Sequence, residues 1–168
     1  MLRLYGFNNK WKLYFRNEKA LLLDALENHK YIKIEHIGAT SIVLGDTCGT
    51  IDLLLSIRSK VDFFTIKNQI CRKGYEFVPT KSDNDMFFFI RRNSKREIIA
   101  TIRLVEYASD IYNRIKMFQF YLREKDEHVL KYNEFKHALV MKDKKNIKQY
   151  EDAKKAYIQS KLEMHCKI

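Results

Sequence analysis

The sequence predicts an α+β fold built around a mixed β-sheet, and three observations predict it. Short apolar runs with strand spacing recur through the first two-thirds of the chain, helical spacing alternates with them, and everything after Ser109 reads as helical. A length of 168 residues holds one sizeable core, and a composition 46% hydrophobic and 13% aromatic supplies it. Global disorder is thereby excluded.

Residues 11–27 carry Leu13, Tyr14, Ala20, Leu21, Leu23, Ala25 and Leu26 without Gly or Pro, which predicts a helix. Residues 31–37 alternate, with Ile32, Ile34 and His36 on one face and Tyr31, Lys33, Glu35 and Ile37 on the other, as a strand does. Gly38, Gly45 and Gly49 place three of the five glycines in the loop that follows. Residues 51–57 form an almost continuous apolar run interrupted by Asp52, the pattern of a strand buried on both faces. Helical spacing returns over 61–73 through Phe64, Ile66, Ile70 and Cys71, with Gly74 as its stop and a short strand over 75–78. Runs at 86–91 and 98–105 flank Arg92, Asn93, Ser94, Lys95, Arg96 and Glu97, which predicts a hairpin with a basic tip in the same sheet. Helices at 111–123, 127–141 and 147–163 complete a single expected domain, residues 1–168, with its sheet core over 1–108 and a helical tail over 109–168.

The charge balance, 32 − 21 = +11, reads either as a Lys-, Ile- and Asn-rich compositional bias or as the mark of an anionic partner: a nucleotide or other phosphorylated small molecule, nucleic acid, or an acidic protein. No stretch of about 20 apolar residues exists to cross a membrane, and Met1 to Gly6 lack the long apolar segment and small-residue cleavage site of a signal peptide, so export is not expected. The cysteines, Cys48, Cys71 and Cys166, are odd in number and widely spaced, which points to a reducing cytoplasm. His165 and Cys166 are the only close metal-ligand pair, too few for a structural zinc site.

The chemistry concentrates between residues 34 and 55. Gly38, Ala39, Thr40 and Ser41 follow one strand with small side chains that let backbone N–H groups approach a phosphate. Asp52 begins the next strand, where a carboxylate needs a cation, a hydrogen bond or a basic partner. Pairing with a basic side chain and holding a Mg²⁺ ion both answer that need. Glu35 and His36 alternate and so face opposite sides, and His36 reads as a structural histidine. Asp46 is either a second ligand beside Asp52 or a solvated loop acid, and Glu106 is a further nearby carboxylate.

The order His36-Ile37-Gly38-Ala39-Thr40-Ser41-Ile42, followed without a gap by Ile51-Asp52-Leu53-Leu54, resembles the signature of the GrpB family. Tyr5 with Trp11, the run Phe118-Gln119-Phe120-Tyr121-Leu122-Arg123, Tyr132 with Lys136, and Tyr150 with Lys154 extend the likeness over nearly the whole chain. The resemblance implies a nucleotidyltransferase-like mixed sheet flanked by helices, of the polymerase-β superfamily. In that superfamily a glycine-serine turn holds a triphosphate, and carboxylates spaced D-x-D bind two Mg²⁺ for in-line transfer. It therefore implies Asp52 as the catalytic and Mg²⁺-holding residue. Gly38, Ala39, Thr40, Ser41, Arg103 and Lys136 are the implied phosphate or nucleotide contacts.

The sequence also departs from that pattern. Ala39 replaces the serine of the turn, Val43-Leu44 and Cys48-Gly49 replace Pro-Gly and Lys-Pro, and Leu54 stands where D-x-D needs its second carboxylate. Thr101-Ile102-Arg103 stands where the family has H-L-H. An arginine is neither a general base near neutral pH nor a metal ligand, but it clamps phosphates or pairs with a carboxylate. In the tail, Tyr150, Lys154, Tyr157 and Lys161 lie at i, i+4, i+7 and i+11, so one face interleaves rings and cations. Such a face either packs its rings on the core while the lysine stems snorkel, or stacks on bases. The expected function is binding of a phosphorylated small molecule or nucleotide. The alternatives are a catalytically inert interaction module and a basic nucleic-acid-binding domain working through the tail and hairpin tip.

Overall fold

The computed structural model describes residues 3–29, 31–142 and 146–165. Met1, Leu2 and Cys166, on which parts of the N-terminal and metal readings fall, lie outside the described residues. Cys48 and Cys71 are free. No described helix is long and apolar enough to cross a membrane.

Helix α1 (Lys10–Ala25) leads into strands β1 (Ile32–Ile37) and β2 (Ile51–Ile57), helix α2 (Phe63–Arg72), and strands β3 (Tyr75–Phe77), β4 (Met86–Arg92) and β5 (Ile98–Glu106). Helices α3 (Asp110–Glu124), α4 (Asp126–Lys142) and α5 (Ile147–His165) form the tail. The strands make one five-stranded sheet in the order β1-β2-β5-β4-β3. Only β2 and β5 run parallel, with Asp52 opposite Thr101 and Leu54 opposite Arg103, and the other pairs are antiparallel, so the sheet is mixed as expected.

Local chemistry accounts for the element ends. Gly74 takes φ +84° just past α2, the left-handed conformation that closes a helix at little cost to glycine. Ser109 caps α3 by accepting from the Tyr112 amide at 3.3 Å. Asn93 Oδ1 accepts from the Lys95 and Glu97 amides at 3.0 and 2.9 Å and folds the β4–β5 tip.

The alternation in the strands divides the sheet. On one face Ile34, Leu53, Leu55, Phe89, Ile102 and Leu104 pack with Trp11 and Leu22 of α1 and with Ile66 and Ile70 of α2. Burying such side chains stabilises by about 1.5–3 kcal/mol each before entropy is counted. Across this layer Glu18 of α1 accepts both Tyr75 Oη at 2.6 Å and Arg91 Nη1 at 2.7 Å, which locks α1 to the β3–β4 edge. On the other face Ile37, Leu54 and Val105 meet Tyr112 of α3. A third cluster joins Ile42, after β1, to Tyr121, Leu122, Val129 and Tyr132 of the tail. Leu54 is fully buried and Asp52 is not, so the tail leaves part of the second face open around Asp52.

Candidate functional site

Asp52 projects from the start of β2 onto the tail-facing side of the sheet. Thr101 Oγ1 donates to its Oδ1 at 2.5 Å, and Arg103 Nη1 lies 3.7 Å from the same oxygen. Arg103 is held from below by the Phe88 ring, 5.5 Å from its guanidinium carbon. The pairing of Asp52 with Arg103 is thus present, with roughly a quarter to a third of each side chain exposed (27% and 31%). The other carboxylate oxygen crowds Gly38, where an added Cβ would collide with Oδ2 and lie 3.1 Å from Asp52 Cβ. Gly38 also has φ +71°, so both its conformation and its neighbour require glycine.

Residues Ala39–Ser41 form a single 3₁₀ turn. The Ser41 and Ile42 amides bond back to the Gly38 and Ala39 carbonyls. Ser41 Oγ donates to the Gly38 carbonyl at 2.7 Å and accepts from Gln119 Nε2 at 3.1 Å. Thr40 is buried, its Oγ1 2.9 Å from His36 Nε2. Helix α3 pins the turn from outside, Gln119 donating to the His36 carbonyl at 2.7 Å and Arg123 to the Ser41 carbonyl at 3.2 Å. Both hydroxyls therefore hold the turn in shape. His36 stacks on Phe15 of α1 at 4.6 Å, on the sheet face opposite Asp52. Burial lowers its pKa to about 4, against the pull of Asp52. Glu35 faces the tail instead, where Lys116 donates to it at 2.7 Å and Tyr112 Oη at 3.1 Å.

Lys136 lies on the far side of the glycine loop. Its Nζ donates to the Asp46 carbonyl, its residue is 2% exposed, and burial lowers its pKa to about 8. Neighbouring side chains of α4 hold the same loop. Asn133 Oδ1 accepts the Asp46 amide at 3.0 Å, Asn133 Nδ2 donates to the Leu44 carbonyl at 2.7 Å, and His137 Nε2 lies 2.7 Å from Asp46 Oδ2. Asp46 is thereby engaged with α4, and Glu106 pairs with Ile57 at the opposite end of β2 from Asp52.

Between the sheet and the tail lies a cavity of about 350 Å³. Asp52, Gly38 and Arg103 line it from the sheet, together with Arg114 of α3, Tyr132 of α4, and Lys154 and Lys155 of α5, while Ile37, Ile42, Phe118, Leu122 and Ile158 supply apolar wall. Asp52, Gly38 and Arg103 are therefore brought together, whereas Ala39, Thr40, Ser41 and Lys136 support the surroundings without lining the space. Burial works to lower the pKa of Lys154, but Tyr132, Glu151 at 3.2 Å and Asp52 outweigh it and hold the ammonium above the ordinary lysine range. Tyr150 is buried and Tyr157 stacks on Phe135 at 4.4 Å, so the rings of the α5 stripe pack while its central cation reaches the site. The regular spacing of that stripe was the available signal for Lys154. Tyr132 is marked in the sequence only by its place beside Lys136 in the tail likeness, and Arg114 and Lys155 carry no such mark, because which tail residues meet the sheet depends on how three helices turn back.

Asp52 is the only carboxylate among the described residues on this lining, and no described group of three His, Cys, Asp or Glu side chains could hold a metal. The donor set suits at most one Mg²⁺, which would take Asp52 and complete its oxygen shell from phosphates and water. The two-metal arrangement does not fit, because its second carboxylate position is the buried Leu54.

The family described as GrpB protein matches residues 2–164 of the chain. The structure is similar to the crystal structure of conserved protein GrpB from Enterococcus faecalis, with 21% identity, TM-score 0.81, and 94% of this chain and 93% of that one covered. It is also similar to Cid1, described as having RNA terminal uridylyl transferase activity, at 14% identity and TM-score 0.50. A second Cid1 structure, the poly(U) polymerase with Mg 3'-dATP bound, matches at 11% identity and TM-score 0.50. Each match covers 70% of this chain but only 37% of Cid1, so the likeness is one of fold. Among curated proteins no sequence matches. The sheet with its tail is thus a nucleotidyltransferase-like α+β fold, and the match over nearly its whole length shows that the chain belongs to the GrpB family.

Proposed function

We propose that this protein binds a phosphorylated small molecule, with a nucleotide as the leading class, in the cavity between the sheet and the tail. The observation that carries this reading is the lining itself, in which Arg103, Arg114, Lys154 and Lys155 oppose the single carboxylate of Asp52 beside an apolar wall. The cations of the lining suit phosphates, and its apolar side chains, Ile115, Phe118 and Ile158 among them, suit a base or similar apolar moiety. The Gly38 turn bounds the same space and keeps Asp52 in place. A Mg²⁺ ion, where present, would neutralise phosphate charge beside Asp52. That Cid1 is described with Mg 3'-dATP bound supports the same class of ligand for this fold.

Thermal denaturation of the purified protein with nucleoside triphosphates, nucleoside monophosphates and sugar phosphates, with and without Mg²⁺, tests the reading. A ligand confined to the folded state raises Tm, by about 2.7 kcal/mol of stabilisation at a hundredfold excess over its Kd. Lys154→Ala and Arg103→Ala are expected to abolish the shift, and Arg92→Ala at the hairpin tip to keep it. Asp52→Asn is expected to remove any Mg²⁺ dependence while the fold survives, since an amide oxygen still accepts from Thr101. No shift with any of these compounds would overturn the proposal and favour an inert interaction module, in which Thr101 and Arg103 merely satisfy Asp52.

A further inference from the structure

At the other end of β2 the tail-facing side of the sheet opens into a second cavity, of about 420 Å³, lined by Tyr31, Ile32, Lys33, Ser56, Arg58 and Tyr107. None of these residues lines the first cavity, and Ser56 stands four positions along β2 from Asp52, roughly 13 Å at strand spacing. Its aromatic walls are unusually open: Tyr31 is 64% exposed and Tyr107 56%. Arg58 lays its guanidinium 5.3 Å from the Tyr31 ring and makes no hydrogen bond or ion pair with the described residues. Lys33 places its ammonium 5.9 Å from the Tyr107 ring, next to its contacts with Glu35 and Tyr112. At the floor Ser56 is 1% exposed, and its hydroxyl has no hydrogen-bond partner among the described residues.

Packing alone does not account for this set. Rings that served the core would be covered, and a buried hydroxyl without a partner is costly. Exposed rings beside an unpaired guanidinium match a ligand that is flat and carries a negative charge next to its flat part. A nucleobase with its adjoining phosphate has that form. In a duplex the bases stack on one another and cannot reach such rings, which selects a single strand. The net charge of +11 draws a polyanion to the surface before any specific contact forms.

We propose that the notch formed by Tyr31, Arg58 and Tyr107 is a contact for single-stranded nucleic acid, with a base stacked on the tyrosines and the neighbouring phosphate on Arg58. The site is separate from the cavity at Asp52 and does not depend on what that cavity binds.

Fluorescence anisotropy of a labelled oligouridylate of about twelve nucleotides, and of a duplex of equal length, tests the assignment. The single strand is expected to bind more tightly than the duplex. Tyr31→Ala and Tyr107→Ala are each expected to weaken it about fivefold or more. Arg58→Ala is expected to lower the slope of log affinity against log salt by about one. Both tyrosines are mostly exposed, so these variants are expected to fold, and circular dichroism verifies it. Lys131→Ala, an exposed cation on α4 that lines neither cavity, is expected to bind as the parent does. Three outcomes would overturn the proposal: no binding of the single strand at roughly 50 mM salt, unchanged affinity in both tyrosine variants, or loss confined to Arg92→Ala and Arg96→Ala at the hairpin tip.

Discussion

Gly38 and Asp52 constrain each other atom against atom, and that contact decides how much this site tolerates. A side chain at Gly38 must adopt φ +71° with extended ψ and displace the Asp52 carboxylate. Only glycine holds that backbone region cheaply, the penalty for other residues being about 1–3 kcal/mol before the collision is added. Gly38→Ala is therefore expected to lower unfolding free energy by about 3 kcal/mol in urea titrations. A variant as stable as the parent would mean that Asp52 swings aside freely. At this scale the sequence was informative where one residue had one need: a carboxylate in an apolar strand demanded partners, and Thr101 and Arg103 supply them. The hydroxyls of Thr40 and Ser41 were less legible. Small polar side chains in a turn serve a phosphate or the turn itself, and here they bond to His36 and Gly38.

Between elements, the glycine loop after β1 has no regular structure of its own and borrows its shape from α4. Asn133 spends both ends of its amide on that loop, bonding the Asp46 amide and the Leu44 carbonyl, and it is buried while doing so. Truncating it takes the partner from two part-buried backbone groups, one hydrogen bond each. Asn133→Ala is expected to cost about 2 kcal/mol and to speed hydrogen exchange at the Asp46 amide, with exchange elsewhere in α4 unchanged. Equal exchange at Asp46 in both proteins would show that Lys136 and His137 suffice to hold the loop. Each strand and helix was legible to within about two residues because spacing records burial locally. The clamp was not, since a polar residue on a helix carries no mark of the loop it will meet 87 positions earlier. Lys136 shows the same limit. Its place in a tail motif suggested a ligand contact, and its amine instead meets a backbone carbonyl.

Across the whole molecule the sheet separates two environments, and β1 carries titratable groups into both, His36 into one and Lys33 with Glu35 into the other. Alternation along residues 31–37 was enough to place His36 and Glu35 on opposite faces. Strand order was not readable, because β5 reaches its place beside β2 only by folding back from β4. The consequence is a pH dependence with two sources. His36 is held neutral by burial against α1, with a folded pKa of about 4, below the ordinary value of 6.5. The unfolded chain therefore binds more protons between those values, so the stability His36 permits is complete above about pH 6.5 and declines as pH falls toward about 4. Glu35 works in the same direction at lower pH. Burial resists its ionisation, but Lys116, Lys33 and Tyr112 outweigh it and hold its pKa below the ordinary 4.5, so its contribution is lost as pH falls through the folded value. Protonating His36 also places a cation near Arg123, the residue that pins the Gly38 turn. Acid should thus loosen the α1 layer and the cavity turn together, before Glu35 releases the tail. Tm measured from about pH 7 to about pH 4.5 is expected to fall more steeply in the parent than in His36→Gln, which lacks a group to protonate in that window. Parallel curves for the two proteins would assign the acid loss to other groups and remove His36 as the point where the two layers are coupled.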